Sequence, residues 1–266
     1  MIGFFVFAFG LAVGSFLNVV IYRLEKDESA FKGRSYCPHC KHQLAWKDLI
    51  PVASFLMLGG KCRYCGGRIS LQYPLVELGT AMLFLLSFKF QVSSFNQALS
   101  IETLNIFYLW MIASLLVVLF VYDLKHYILP DKILLPAIGI VLAYRVFEVW
   151  GLVRQSADWD LGFVVSGFAA AAFFLAIFAL SKGRAMGLGD VKLAAFMGLF
   201  LGWPNILVAL FAAFFSGALV GIALIILKKK AMRSEVPFGP FLIAATFVAL
   251  FWGNALVNWY LDLMMV

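Results

Sequence analysis

The sequence predicts an all-α polytopic membrane protein with about eight transmembrane helices and a cytoplasmic loop that resembles a zinc ribbon. Three observations support this fold class. Of the 266 residues, 64% are hydrophobic and 13% are charged, whereas soluble domains average about 45–50% and about 25%. Several windows reach the roughly 20 apolar residues needed to cross a hydrocarbon core of about 30 Å. All four cysteines lie in one long polar segment.

The first predicted helix, 2–22, is interpreted as a retained membrane span. Its apolar part exceeds the 7–15 residues of a typical signal peptide, and no positively charged segment precedes it. The eight apolar runs predict spans near 2–22, 74–90, 104–122, 132–150, 161–181, 191–203, 206–227 and 237–263. The sixth is short for a full crossing, so we expect it to be tilted, half-buried or shielded by its neighbours.

The basic residues predict the side that each loop faces, because cytoplasmic loops carry an excess of Lys and Arg. Nine of the 21 Lys and Arg residues lie in loop 23–73, and nine more lie in 123–132, 182–192 and 228–233. With eight spans these segments share one side, which is predicted to be cytoplasmic, with both termini periplasmic. The net charge of +7 favours contact with anionic membrane lipid over a nucleic-acid partner.

Two aspartates lie where apolar runs meet basic segments: Asp123 in Val-Tyr-Asp-Leu-Lys and Asp190 in Gly-Leu-Gly-Asp-Val-Lys. A carboxylate at a bilayer boundary is costly to keep charged, so it is a functional candidate. Asp123 ends a helix predicted to run inward and Asp190 begins one predicted to run outward. Both are therefore expected at the cytoplasmic boundary. Paired carboxylates can hydrolyse an amide when the ionised one activates water and the protonated one polarises the carbonyl.

Small and basic residues surround these two aspartates. Gly187 and Gly189 come just before Asp190 and would let a substrate backbone approach and the loop adopt a positive φ. Three basic residues lie beside the pair: Lys125, His126 and Lys192. They could tune the aspartates, bind lipid phosphate, or be ordinary cytoplasmic charges. None of the three histidines has a convincing serine or cysteine partner, which disfavours serine and cysteine protease chemistry.

Two further carboxylates have other expected roles. Asp131 follows Ile128-Leu129-Pro130 and is expected to cap the fourth span more than to catalyse, by accepting from free amides of its first turn. Glu77, just inside the second span, could contact a substrate terminus or a basic neighbour. Its role is left open.

The four cysteines form two pairs, Cys37-Pro-His-Cys40 and Cys62-Arg-Tyr-Cys65, with 21 residues between them. Two such knuckles supply four thiolates for a tetrahedral zinc ion, which would stabilise a loop too small to bury its own core. Paired disulfides and metal-free thiols are the alternatives, but disulfides rarely persist in the cytoplasm. His39 and His42 could replace a ligand or be solvated. A closed four-sulfur site has no open position, so the metal is expected to be structural.

Several motifs occur in a defined order along the chain. They are Gly14-Ser-Phe-Leu-Asn-Val-Val-Ile-Tyr-Arg23, the two knuckles around Asp48-Leu-Ile-Pro51, Tyr73-Pro-Leu-Val-Glu77, Asp123 with Leu129-Pro-Asp131, Gly187-Leu-Gly-Asp190 and Pro237-Phe-Gly-Pro240. Together, from about residue 10 to residue 240, they resemble the type IV prepilin peptidases.

The resemblance implies a bacterial inner-membrane aspartic protease of the Gly-x-Gly-Asp class, in which Asp123 and Asp190 match the catalytic pair. Such enzymes remove the basic leader from pilin and pseudopilin precursors of type IV pili or type II secretion. Their substrates have glycine before the cut, usually phenylalanine after it, and then an apolar helix. Members with the cysteine loop typically also methylate the new amino terminus with S-adenosylmethionine. No cofactor-binding residue can be named from the sequence.

The predicted organisation is a first helix 1–22, a four-cysteine loop 23–73 and a transmembrane protease core 74–263. Two functions from other classes remain as alternatives. A proton-coupled transporter also uses intramembrane carboxylates, although both aspartates at one boundary are not typical of it. A noncatalytic scaffold for pilus or secretion assembly would use the ribbon for docking and the aspartates as helix caps. The oligomeric state is not predicted.

Overall fold

A computed structural model describes residues 1–29, 32–92, 99–149, 162–184, 186–227 and 237–264. These residues are mostly helical and contain no β-strand. The helices are α1 (Ile2–Leu24), α2 (Ala53–Met57), α3 (Gln72–Val92), α4 (Leu99–His126), α5 (Asp131–Val149), α6 (Gly162–Ser181), α7 (Leu188–Leu201), α8 (Asn205–Ile226) and α9 (Gly239–Met264), with a 3₁₀ turn at Trp46–Asp48. Each predicted span corresponds to one of the long helices, so the all-α fold class is confirmed. The basic segment 228–233 lies outside the described residues.

Among the described residues, six helices are long and apolar enough to cross a membrane. They are Ile2–Leu24, Gln72–Gln91, Asn105–His126, Gly162–Ser181, Asn205–Ile226 and Gly239–Met264. The other two long helices, α5 and α7, do not meet these criteria, and the reason differs between them. α5 carries four charged residues, and α7 has 14 residues, or about 21 Å of helix at 1.5 Å per residue. The chain is therefore a multi-pass membrane protein, and the count of eight crossings stays a prediction.

The chain divides into two compact units, Met1–Val118 and Leu119–Val266. The predicted boundaries at 22, 73 and 263 stay a prediction. In the first unit, α1 and α3 approach closely along a row of small residues. A Cβ atom at Gly10 would lie 2.6 Å from Ala81 Cα, and one at Gly14 would lie 2.6 Å from Glu77 Cα. Small residues four apart let membrane helices pack backbone to backbone.

In the second unit, α7 lies in the middle and packs against α5, α6, α8 and α9. Half of its residues are buried: Leu193, Ala194, Phe196, Met197, Gly198, Leu199 and Phe200. Its approach to α6 is closest at Gly198, where a Cβ atom would lie 2.6 Å from Gly167 Cα. The short predicted span is thus shielded by its neighbours, one of the three arrangements expected from its length.

Arg145 of α5 donates hydrogen bonds to the last carbonyl groups of α7. Its guanidinium donates to the carbonyl oxygens of Leu199 at 3.2 Å and Phe200 at 2.7 Å. A third nitrogen pairs with Glu148 at 2.7 Å. The last carbonyls of a helix lack partners within it, so this contact anchors α7 at the end opposite Asp190.

Candidate active site and metal centre

Asp123 lies in the last turn of α4, because the helix continues to His126 rather than ending at the predicted residue 122. The side chain is buried, with 4% of the residue exposed. The backbone N–H of Gly239, the first residue of α9, donates to its carboxylate. A Cβ atom at Gly239 would overlap Asp123 Oδ2. A side chain at position 239 would therefore force the Asp123 carboxylate to move.

Asp190 lies in the first turn of α7, which begins at Leu188 and has Gly187 at its N-cap. The side chain is half-buried, and Oδ2 accepts from the backbone N–H of Gly187 at 3.3 Å. Burial raises the pKa of Asp190 to about 6, because desolvation disfavours the charged form more than this hydrogen bond favours it. Near pH 6 this carboxyl is therefore about half protonated.

Leu129, in the turn between α4 and α5, connects the surroundings of the two aspartates. It is buried, and its Cβ atom lies 3.1 Å from where a Cβ atom at Gly189 would be. Its Cδ2 atom lies 3.5 Å from the corresponding position at Gly239. The structure thus brings Asp123 and Asp190 together around Leu129.

The two glycines before Asp190 serve this packing in different ways. Gly189 leaves room for Leu129. Gly187 has open space around its Cβ position, where the nearest atom would lie 3.9 Å away. Neither adopts a positive φ: the value at Gly187 is −84°, and the positive-φ glycines of the described chain lie elsewhere. The expectation of a positive φ at these two glycines is therefore wrong, because Leu188 and Gly189 already belong to α7.

Two residues of this site, Leu129 and Gly239, were not among the predicted site residues. Both lay within quoted motifs, Leu129-Pro-Asp131 and Pro237-Phe-Gly-Pro240, so a signal was present. The motifs alone did not predict which residues Leu129 and Gly239 would contact.

The basic residues near the site have partners of their own. Lys192 Nζ lies 2.7 Å from each carboxylate oxygen of Asp131, the first residue of α5. This pair is solvent-exposed on both sides and ties the start of α5 to the first turn of α7. The imidazole of His126 packs against the ring of Tyr122 at 4.5 Å between centroids.

The four cysteines come together in one cluster in the first unit. The four Sγ atoms lie within 4.8 Å of one another, with Cys37 and Cys65 at 4.0 Å. All four are free thiols. Tetrahedral zinc with Zn–S bonds of about 2.3 Å would set its ligand sulfurs about 3.8 Å apart. The cluster therefore fits a four-coordinate metal ion.

The two knuckles have the same backbone structure. In each, the first cysteine N–H donates to a carbonyl five residues later: Cys37 to His42 at 3.0 Å and Cys62 to Gly67 at 2.8 Å. An antiparallel bridge closes each one, Tyr36 with Gln43 and Lys61 with Arg68. The residue after the second cysteine is left-handed in both, with φ of 61° at Lys41 and 69° at Gly66.

The knuckles also contact each other through equivalent positions. The His42 ring packs on Tyr64 with centroids 3.7 Å apart, and His39 lies 3.1 Å from where a Cβ atom at Gly67 would be. Both histidines are exposed, as expected for a loop. Their contacts are with the opposite knuckle.

Asp48 joins the 3₁₀ turn to the second knuckle. Its buried carboxylate accepts from Arg63 at 2.7 Å, Tyr64 at 3.0 Å and the backbone N–H of Ala45 at 3.2 Å. Burial alone would raise the pKa of Asp48, but these hydrogen bonds outweigh it and hold the pKa below its ordinary value.

Comparisons with known proteins cover nearly the whole chain. Residues 8–90 match the family described as the bacterial peptidase A24 N-terminal domain, and residues 110–222 match the type IV leader peptidase family. A prepilin leader peptidase/N-methyltransferase of Aeromonas hydrophila is 33% identical, with 96% of this chain and 92% of that protein covered. Proteins of the same name from Legionella pneumophila (95% and 92% covered) and Bacillus subtilis (97% of each covered) are also 33% identical. No solved structure matches.

Proposed function

The chain belongs to the type IV leader peptidase family, and on that premise we propose that it removes the basic leader from prepilins and pseudopilins by aspartic catalysis. One observation carries the proposal. Asp123 from the end of α4 and Asp190 from the start of α7 meet around Leu129 in the second unit. By the sequence resemblance, the same two residues correspond to the catalytic pair of the family.

The geometry supports a water-activating mechanism. One carboxylate, ionised, takes a proton from a water molecule, which then attacks the scissile carbonyl carbon. The other, protonated, donates a hydrogen bond to the carbonyl oxygen and stabilises the negative charge that develops there. As the C–N bond breaks, the leaving amine nitrogen takes the proton that the first carboxylate removed from water. Two neighbouring carboxylates favour this singly protonated state, since both cannot easily ionise together.

Both carboxylates also face the first residues of a helix, where backbone N–H groups and the helix dipole favour negative charge. Asp123 faces Gly239 of α9 and Asp190 faces Gly187 at the start of α7. These contacts hold the side chains in fixed orientations without supplying a competing charged group.

We further propose that the site lies at the cytoplasmic boundary of a bacterial inner membrane, with both termini periplasmic. The distribution of Lys and Arg supports this orientation. Asp123 and Asp190 can come together only if both lie at the same boundary of the membrane, so their proximity also supports this placement. A cut at that boundary would suit a substrate whose leader is basic and whose following helix is apolar.

Relatives named N-methyltransferases support a second activity. We propose that the protein also methylates the amino terminus that cleavage exposes, with S-adenosylmethionine as the methyl donor. When bound, this co-substrate supplies an electrophilic methyl group. None of the described residues is assigned to it here.

The cysteine cluster is proposed to bind one zinc ion. Cys37, Cys40, Cys62 and Cys65 would complete its coordination, and the free-thiol arrangement supports a metal over two disulfides. Four sulfurs leave no position for substrate or water, so the ion would stabilise the loop and take no part in hydrolysis.

The deciding experiment is cleavage by purified protein. A synthetic precursor with a basic leader would be incubated with wild type, Asp123→Asn and Asp190→Asn, and the products identified by mass spectrometry. Each variant is expected to lose activity by roughly 10⁴-fold or more, as when an acid-base pair acts as a unit. Asp262→Asn, at an exposed position of α9, is the matched control. Normal cleavage by either dyad variant would remove that residue from the mechanism, and an inactive wild type would favour a transporter or scaffold.

A further inference from the structure

Asn18 of α1 carries a buried acceptor that none of the described residues fills. The residue is 2% exposed. Its Nδ2 atom donates to the carbonyl oxygens of Gly14 at 3.3 Å and Tyr73 at 3.0 Å, while Oδ1 has no hydrogen-bond partner. If the amide were flipped, Oδ1 would face those two carbonyl oxygens, which are acceptors as well. The two hydrogen bonds therefore fix the orientation of the Asn18 amide. An unfilled buried acceptor calls for an explanation.

Glu77 of α3 flanks the same glycine. Gly14 packs against its backbone, and Asn18 donates to the Gly14 carbonyl oxygen, so Glu77 and Asn18 belong to one contact between α1 and α3. Glu77 is 7% exposed. Its carboxylate accepts from the backbone N–H of Val52 at 2.7 Å and from the side chain of Ser15. Both of these described partners are neutral, so they leave its negative charge without a counter-ion.

The backbone that Glu77 holds is in an unfavourable conformation. Val52 has a φ of 59° and a ψ of −47°, a positive-φ conformation that a β-branched residue rarely adopts. Such conformations persist where surrounding contacts over-determine them, and they cluster at functional sites. Here the contact is the hydrogen bond from Val52 to Glu77.

We propose that Asn18 and Glu77 bind a primary ammonium group, the amino terminus that leader removal exposes. The inference rests on the proposed methyltransferase activity and deepens it. The site offers acceptors and a negative charge, and an ammonium group offers three donors and a positive charge. A buried carboxylate gains most from a partner that is both charged and a hydrogen-bond donor.

The same residues suit the proton chemistry of methylation. An ammonium nitrogen has no lone pair, so it must first lose a proton, which the Glu77 carboxylate accepts and then releases to water. The amine lone pair then forms the N–C bond as the methyl carbon–sulfonium bond breaks, and the sulfur keeps that electron pair in the leaving S-adenosylhomocysteine. Glu77 thus acts on the amine and is separate from the two aspartates that cut the peptide.

The test uses the purified full-length protein with a precursor peptide and S-adenosylmethionine. Mass spectrometry separates leader loss from the added mass of one methyl group. Glu77→Gln is expected to lower methylation by on the order of 100-fold while cleavage stays within about threefold of wild type. Asn18→Leu, which removes the unfilled acceptor, is expected to act in the same direction. Thr80→Val, at another buried polar position of α3, is the control.

A binding measurement without the methyl donor tests the site directly. Wild type is expected to prefer the cleaved peptide over its N-acetylated form by at least about tenfold, and Glu77→Gln is expected to lose that preference. Equal binding of both peptides to wild type would overturn the proposal. Full methylation by Glu77→Gln would also overturn it. So would a loss of cleavage and of thermal stability in Glu77→Gln that runs parallel to the loss of methylation. A wild type that cleaves and prefers the free amine but does not methylate would instead refute the methyltransferase activity.

Discussion

The backbone N–H of Gly239 donates to the carboxylate of Asp123, and a Cβ atom at position 239 would overlap this carboxylate. Gly239 is the first residue of α9, so this N–H is one of those that a helix leaves without an internal partner. Asp190 makes the equivalent contact at the start of α7, through Gly187. Each aspartate is thus oriented by the first backbone amides of a helix, and this relationship leads to the first prediction.

Gly239→Ala is expected to lower leader cleavage by on the order of 100-fold, because the new methyl group displaces Asp123 and a misplacement of about 1 Å has that effect. Initial rates of precursor cleavage would measure it. Gly221→Ala in α8, where a Cβ atom meets nothing within 4 Å, should leave the rate unchanged. Equal activity of both variants would show that Asp123 does not depend on this close approach.

Leu129→Ala is expected to reduce both stability and cleavage. The side chain fills the space between the starts of α7 and α9, and large-to-small substitutions in cores cost about 2–5 kcal/mol. Thermal unfolding and cleavage rates would be measured together, with Leu129→Met expected to recover most of both. Leu135→Ala, at a position 53% exposed, is the control. If Leu129→Ala cleaved at the wild-type rate, Leu129 would have no part in positioning the aspartates.

Asp131→Asn is expected to change stability by only about 0–1 kcal/mol, since its pair with Lys192 is exposed. Cleavage should stay within about threefold of wild type, and the stability difference should shrink at high salt. Unfolding at two salt concentrations, with a cleavage assay beside it, would measure these effects. A loss as large as that of Asp123→Asn would instead assign Asp131 to the catalytic machinery.

The cysteine cluster is expected to hold about one zinc ion per chain, lost in Cys37→Ser or Cys62→Ser. Elemental analysis of purified protein would measure it. Ser54→Ala is the control, since Ser54 lies in the same loop outside the knuckles. A metal-free wild type that is fully folded would end the zinc proposal.

The equivalent knuckles give a sharper test of the same centre. Lys41 and Gly66 share a left-handed backbone, which costs a residue with a side chain roughly 1–2 kcal/mol. Lys41→Gly should therefore slow zinc loss to a chelator, and Gly66→Ala should speed it. Lys47→Gly, outside the left-handed positions, controls for the lost charge. The opposite order would mean that this conformation does not limit metal retention.

Apolar runs were sufficient to predict where the long helices lie. For α6 the prediction, 161–181, and the structure, Gly162–Ser181, nearly coincide. Helix ends were less predictable, because polar residues such as Asp123 and Asp190 fall inside helices whose outer turns make local hydrogen bonds. Contacts between segments that are distant in the sequence could not be predicted from sequence patterns. Hydropathy predicts neither the close approach of Gly239 to Asp123 nor the Asn18 acceptor without a hydrogen-bond donor, since both depend on how the helices pack.

The matching knuckles also bear on how the metal centre is assembled. Each knuckle closes through its own backbone hydrogen bonds, so each can present two sulfurs as a preformed half-site. If the cluster binds zinc as proposed, the ion would have no obligatory order of capture: either half-site could bind it first, and the bound ion would then draw in the sulfurs of the other.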